Sequence, residues 1–468
     1  MWKEKIDRYM EAHRQEMIED IRELCRIDSE KMPEEDDMPF GPGAAECLDA
    51  ALDMAEGYGF ATCDYDGYVG CVDFSEELPK GLDILAHLDV VPAGEGWTVT
   101  EPFEPVEKDG KLYGRGTADD KGPAVAALYG MRAVRELGIP LKKNVRLILG
   151  TDEECGSSDI RHYYSMEKEA PMTFSPDASY PLVNVEKGRL PGHVTARFAA
   201  SDGSPALIRV EAGTKENVVP GRAKAVLFGM ESEALKEAVA EVNAQTGVCF
   251  DMTRDGERTT VNAVGKGAHA STPEDGNNAI TALLTLLARL PFAPCPQVEA
   301  VKAAAAVFPH GKVHGEALGV DMEDAVSGRM TLSLDMLTID AESFDAVFDA
   351  RVPVCGTREN VLEAARTSLK AVGLKLENDS MTPPHHVAGD SVFVRTLLDA
   401  YEAYTGEKGE CMAMGGGTYV HDLKNGVAFG ASMPGVDNRM HGPDEFANIY
   451  DLVTSAKIFA LAIVKLCG

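Results

Sequence analysis

Histidines and carboxylates stand at the ends of successive apolar runs. LDILA (82–86) leads into His87 and Asp89, and VRLIL (145–149) leads into Asp152, Glu153 and Glu154. MTF (172–174) continues through Ser175 and Pro176 to Asp177, and RMHGPDE supplies His441 late in the chain. Between the first two runs, GRGTADDKGP (114–123) sets Asp119 beside Asp120 within a fence of glycines. Singly, each has a plain explanation: a strand end, a helix start, a solvated turn. Together they offer two imidazoles and several carboxylates with no thiolate, which suits Zn²⁺, Mn²⁺ or Co²⁺ rather than a structural cysteine site. Cations held in this way polarise carbonyls and activate water.

The elements needed to gather these residues are legible nearby. Amphipathic helices are expected at Lys3 to Arg26 and Ala44 to Glu56, and another at Lys121 to Leu137, ended by Gly138 and Pro140. Apolar strands alternating with helices predict an α/β layer covered on both faces. Ligands of such sheets lie in the crevice beyond the carboxyl ends of the strands, which is where His87, the Glu153 and Glu154 pair, and Asp177 would converge.

After about Lys187 the strands alternate in polarity, as in LIRVEA (207–212), RAKAVLF (222–228), RMTLSLDML (329–337) and FDAVFDARV (344–352). Helical patterns fall near Glu231 to Val242, Asn277 to Leu290 and Glu359 to Ala371. This predicts an α+β domain inserted into the α/β domain, which resumes near Asp390 with a helix, a glycine-rich turn, the strand GVAFGA and a closing helix. The expected division is 1–188 and 386–468 for the catalytic domain and 189–385 for the insert.

A formal charge of −31 disfavours nucleic acid and anionic membrane as partners. The charged amino terminus reads as neither secretory signal nor membrane anchor. The ten cysteines, scattered and without a CxxC pair, predict buried free thiols in a reducing, cytoplasmic setting. Cys155 reads as a packing residue.

HLDVVPAGEGW, GRGTADDKGP, DEECGS, PDA and MHGPDE, in this order, resemble the M20 co-catalytic metallopeptidases. Within them the chain is similar to the PepV-type bacterial dipeptidases, the Xaa-His dipeptidase or carnosinase-like branch. ENVVP, GKGAHAS and DARVP extend the likeness into the insert. The resemblance implies a phosphorylase/hydrolase-like catalytic domain with a mixed sheet and an inserted ferredoxin-like lid. It implies two divalent metal ions, with zinc first and manganese or cobalt as alternatives. His87, Asp119 and Asp177 would hold one; Asp119, Glu154 and His441 would hold the other, with Asp119 bridging. Asp89 would accept the second ring N–H of His87, and Glu153 would be the general base acting on the metal-bridging water. His269 would stabilise the oxyanion, Asn217 and Arg351 would hold substrate, and Gly415, Gly416 and Gly417 would offer N–H groups to its anionic end.

The implied activity is hydrolysis of short unblocked peptides by a monomer, because the enlarged lid of this branch stands in for a partner subunit. The alternatives are an M20 amidohydrolase acting on N-acyl amino acids, and a metal-binding protein without turnover. One departure stands out: TYVHD places His421 where many relatives carry arginine.

Overall fold

The computed structural model describes residues 2–468. The chain forms two compact units: one holds the chain up to Val185 with His386–Met412 and Gly417–Gly468, the other Glu186–His385 with Ala413–Gly416.

The first unit is built on a mixed sheet. Its strands run Ala61–Tyr65, Val69–Asp73, Asn144–Gly150, Lys80–His87, Thr173–Ser175, Gly426–Ala428 and Leu182–Glu186 in spatial order. The strand Lys80–His87 is parallel to both Asn144–Gly150 and Thr173–Ser175, and the latter is parallel to Gly426–Ala428. Leu82, Ile84, Leu85 and Ala86 are all buried, as is Asp83 between them, so this strand has no solvent face and reads as an apolar run broken only by Asp83.

The helices follow the same logic. Trp2–Cys25 buries Ile6, Tyr9, Met10, Met17, Ile18, Ile21 and Leu24, a stripe at helical spacing. Lys121–Glu136 is buried from Lys121 to Val134 and packs between the first helix, the last helix Ile449–Cys467 and the central strands. At Gly130 a Cβ would lie 3.2 Å from both the Ala460 nitrogen and the Phe459 Cβ, so glycine lets the two helices approach this closely.

The second unit carries an antiparallel eight-stranded sheet, ordered Cys249–Asp255, Arg258–Val264, Arg222–Phe228, Ala206–Ala212, Thr331–Ile339, Ser343–Val352, Gly188–Arg197 and Lys375–Leu376. Along Arg222–Phe228, Ala223, Ala225 and Leu227 are buried while Arg222 and Lys224 are exposed, the alternation of a half-covered sheet. The helix Ala279–Leu287 packs on this apolar face. Asn278 caps it by accepting from the Ile280 and Thr281 N–H groups.

Several elements escape the sequence pattern. The hairpin strand Cys249–Asp255 lies at the sheet edge with mostly exposed residues, and Pro296–Val307 is an alanine-rich helix with little periodicity. The predicted helix at 359–371 begins as a wider π turn, Arg358–Glu363, before the α-helix Ala364–Ala371.

The cysteines need correction. All are free, but only Cys25, Cys47, Cys71 and Cys467 are buried; Cys63, Cys155, Cys249, Cys355 and Cys411 are exposed. Apolar neighbours in sequence do not fix which face a side chain takes. Cys249 opens an edge strand and Cys155 sits in a turn, so neither packs as expected. Among the described residues no helix is long and apolar enough to cross a membrane.

Candidate metal centre

Parallel pairing decides where the functional side chains meet. His87 lies opposite Gly150 in the parallel ladder, so the chain emerging after Gly150 carries Glu153 and Glu154 beside it. Thr173–Ser175 ends on the same side and delivers Asp177. His87 Nε2 lies 3.0 Å from Asp119 Oδ1 and 3.8 Å from Asp177 Oδ2. His441 Nε2 lies 3.1 Å from Asp119 Oδ2 and 3.1 Å from Glu154 Oε1. Asp119 therefore spans the two imidazoles. Ligand atoms of His87, Asp119 and Glu154 lie within 4.8 Å of one another, as do those of His87, Glu153 and Asp177. The two adjacent glutamates thus serve different groups.

A ring of buried acceptors holds these residues. The Asp89 carboxylate accepts the N–H groups of Glu153 and Glu154, each at 3.1 Å, and so fixes the turn that bears both. His87 Nδ1 lies 3.0 Å from the Asp89 main-chain oxygen and 3.4 Å from its carboxylate. Asp159 accepts from the N–H groups of Thr151 and Asp152 at 2.7 and 2.9 Å, and from the Tyr419 hydroxyl. The Tyr419 ring stands edge-on to that of His87. Asp120 is fully buried and accepts the His87 N–H at 3.2 Å.

The rest of GRGTADDKGP also has a use. Lys121, buried, donates to the carbonyls of Leu24 and Ile27 at 3.0 and 2.8 Å, tying the end of the first helix to the loop that bears Asp119. A Cβ on Gly122 would stand 2.1 Å from the Thr117 carbonyl oxygen, so no larger residue closes this turn without moving it. The Asp119–Asp120 peptide is cis.

Electrostatically the cluster is crowded with acid. Burial, with Asp177 nearby, pushes the Glu153 carboxyl up to about 9. Burial and the neighbouring Asp119 push Asp177 up to about 7. Burial also raises Asp119, but hydrogen bonds from His441 and His87 outweigh it and hold this carboxyl well below its usual range. Hydrogen bonds to Asp119 and Glu154 push His441 up to about 10. The protein without ions therefore keeps protons where cations would fit, and the oxygen and imidazole donors match borderline and hard dications.

The second unit carries the remaining predicted residues. His269 is exposed at the surface; its Nδ1 lies 2.6 Å from Ser271 Oγ, and partial desolvation of the ring with the nearby Arg351 charge lowers its pKa. Val218 pairs with His269 in a short ladder beside Asn217. Asn217 has φ 62° and donates its N–H to Asp335 at 3.0 Å. Arg351 is buried, with Nε and one terminal nitrogen on the two Asp349 oxygens at 2.8 and 3.0 Å and its other nitrogen on the Gly415 carbonyl. The two-pronged grip foreseen for a substrate carboxylate is thus filled by Asp349. Gly415 and Gly416 belong with this unit, and Gly417 with the first.

The sequence reading missed Asp120, Lys121, Asp159, Tyr419, Arg115 and Glu445, all buried around the cluster. The one signal available was a charged residue adjoining a candidate ligand motif, as in DDKG and GPDE.

A cluster of imidazoles and carboxylates at the ends of parallel strands, buried at His87 and open at His441, suits a metal-dependent hydrolase of the α/β class. The model of peptidase family M20/M25/M40 matches residues 84–465, and the chain belongs to that family. It is 33% identical over 460 residues to the Beta-Ala-Xaa dipeptidase of Lactobacillus delbrueckii subsp. lactis, covering 97% of each chain. Among solved structures it resembles human carnosine dipeptidase 1, with TM-score 0.61 and 17% identity over 100% of this chain and 99% of that one. It also resembles aminoacylhistidine dipeptidase from Vibrio alginolyticus, with TM-score 0.61 and 15% identity over 96% of each. The protein is a metallopeptidase.

The proton load makes a prediction. Folding raises the carboxyls of Asp177 and Glu153 and the imidazole of His441, so the metal-free native state binds more protons than the unfolded chain. Its stability should fall as pH rises from about 6 to about 9, and added Zn²⁺ or Mn²⁺ should raise the melting temperature more at the upper end. Thermal melts with and without ion across this range are the check; an ion-induced shift that shrinks with rising pH would contradict the assignment.

Proposed function

We propose that the protein is a dinuclear dipeptidase that hydrolyses short peptides with a free amino terminus. One observation carries this reading: Glu153 and Glu154 share a turn pinned by Asp89, yet Glu154 reaches His441 while Glu153 lies by His87 and Asp177. Glu153 stands with His87 and Asp177 without pairing with His441, and we assign it the proton transfer rather than a place in the ligand set. His87, Asp119 and Asp177 would hold one divalent ion, and Asp119, Glu154 and His441 the second. When bound, such a pair supplies positive charge that polarises the scissile carbonyl and eases proton loss from water.

The chain's own residues supply the rest. Glu153 takes a proton from the attacking water and passes it to the departing amine, a role served by its poor solvation. Asp89 keeps the Glu153 backbone and the His87 ring in place together. His269, kept neutral, donates a hydrogen bond to the developing oxyanion, while Asn217 and Arg351 shape the substrate site. The relative's name, Beta-Ala-Xaa dipeptidase, makes β-alanyl dipeptides a first substrate class to examine. Hydrolysis rates on α-dipeptides, β-alanyl dipeptides, tripeptides and N-acetyl amino acids, with Zn²⁺ and Mn²⁺ compared, test the proposal. Preference for the N-acetyl substrates would replace the dipeptidase reading with an amidohydrolase acting on N-acyl amino acids.

Glu153→Ala is expected to lower kcat by ~10²–10⁴ while ion content stays at the wild-type level. Loss of ion in proportion to rate would make Glu153 a ligand instead. His269→Ala is expected to lower kcat by ~10²–10³ with a much smaller change in KM, as for one oxyanion donor. An unchanged kcat would remove His269 from the chemistry.

A further inference from the structure

His441 is an unusual ligand candidate because little surrounds it. Its side chain is 58% exposed, whereas that of His87 is 1% exposed, so packing cannot orient the ring. Its loop is also irregular: Arg439, His441 and Asp444 all adopt left-handed φ of 57–61°, a region unfavourable to non-glycine residues. Such a loop keeps one shape only where its surroundings fix it.

The anchors lie three and four residues beyond His441. Asp444 accepts the N–H groups of Thr98 and Val99 at 2.7 and 2.9 Å and the Thr98 hydroxyl at 2.6 Å. Glu445 is fully buried; Oε1 accepts the N–H of Ala118 at 3.0 Å and of Asp119 at 3.3 Å, and Oε2 pairs with Arg115 at 2.6 Å. The Glu445 carbonyl accepts the Gly114 N–H at 3.0 Å. Arg115, itself buried, lies over the Trp97 ring. One carboxylate therefore grips the backbone of Asp119 from the loop that carries His441.

We infer that Glu445, paired with Arg115, is a positioning residue that sets His441 against Asp119 and so builds the His441 side of the metal centre. The inference rests on the dinuclear reading above. Glu445 touches neither ring nor ligand carboxylate; it acts by joining the two loops. Asp444 holds the outer end of the same loop.

The test is a cycle of ion binding, read by calorimetry on metal-free protein titrated with Zn²⁺ or Mn²⁺. Wild type, Glu445→Gln, His441→Ala and the double variant are compared, with melting temperatures taken on the metal-free forms. His441→Ala is expected to weaken one ion by tenfold or more and leave the other nearly unchanged. Glu445→Gln should reproduce that pattern, and adding His441→Ala to it should cost little more, because the ring is already displaced. A general structural role predicts otherwise: losses that add fully, or both ions weakened alike, and either result overturns the inference. So does wild-type affinity for both ions in Glu445→Gln. If that variant does not fold, Asp444→Asn replaces it in the same cycle, with the same non-additivity expected. A wild type that takes up one ion only would instead defeat the dinuclear reading itself.

Discussion

Crowded carboxylates are the constraint around which the first unit is organised. Asp89, Asp119, Asp120, Glu153, Glu154 and Asp177 lie near one another, the first three buried and the others half-buried, where like charges repel and solvation is poor. The protein meets this in separate ways. Asp89 and Glu445 are satisfied by backbone N–H groups, and Glu445 by a buried arginine as well. Asp119 is stabilised by two imidazoles, whereas Glu153 and Asp177 are left to hold protons. Asp89 and Glu445 use their partners to shape the backbone, whereas Asp119 and Glu154 are partnered by imidazoles within the cluster itself.

This division explains what could be read from the sequence. Parallel strands buried on both faces announce themselves as apolar runs, and the residues at their ends must meet, so His87, Glu154 and Asp177 were legible together. His441 was read separately, from RMHGPDE after the chain's return to the first domain, because no apolar run leads directly into it. The pairings of Asp159, Tyr419, Arg115 and Glu445 were hidden for a different reason. Tyr419 meets Asp159 across 260 residues and Glu445 meets Arg115 across 330, and nothing local marks either pair. The exposed cysteines show the same limit: neighbours along the chain do not say which face of an edge strand or turn a thiol will take. Arg351 was recognised as important, but its engagement with Asp349, two residues away on the same strand face, was not foreseen.

The two histidines of the cluster are held by opposite means. His87 ends a fully buried central strand, with its N–H on Asp120, its ring against Tyr419 and its Nδ1 beside Asp89. Moving it would disturb the core of the sheet. His441 stands on an exposed loop of left-handed residues, anchored by the carboxylates of Asp444 and Glu445 and by the Asn438 amide on the Phe446 carbonyl. Buried packing resists displacement over the whole strand, while an anchored loop can open locally at lower cost. The His87 side of the site is therefore present as a consequence of folding, and the His441 side depends additionally on a small set of hydrogen bonds. Asp119, gripped by Glu445 through its backbone and facing both rings through its side chain, is where these two kinds of order meet.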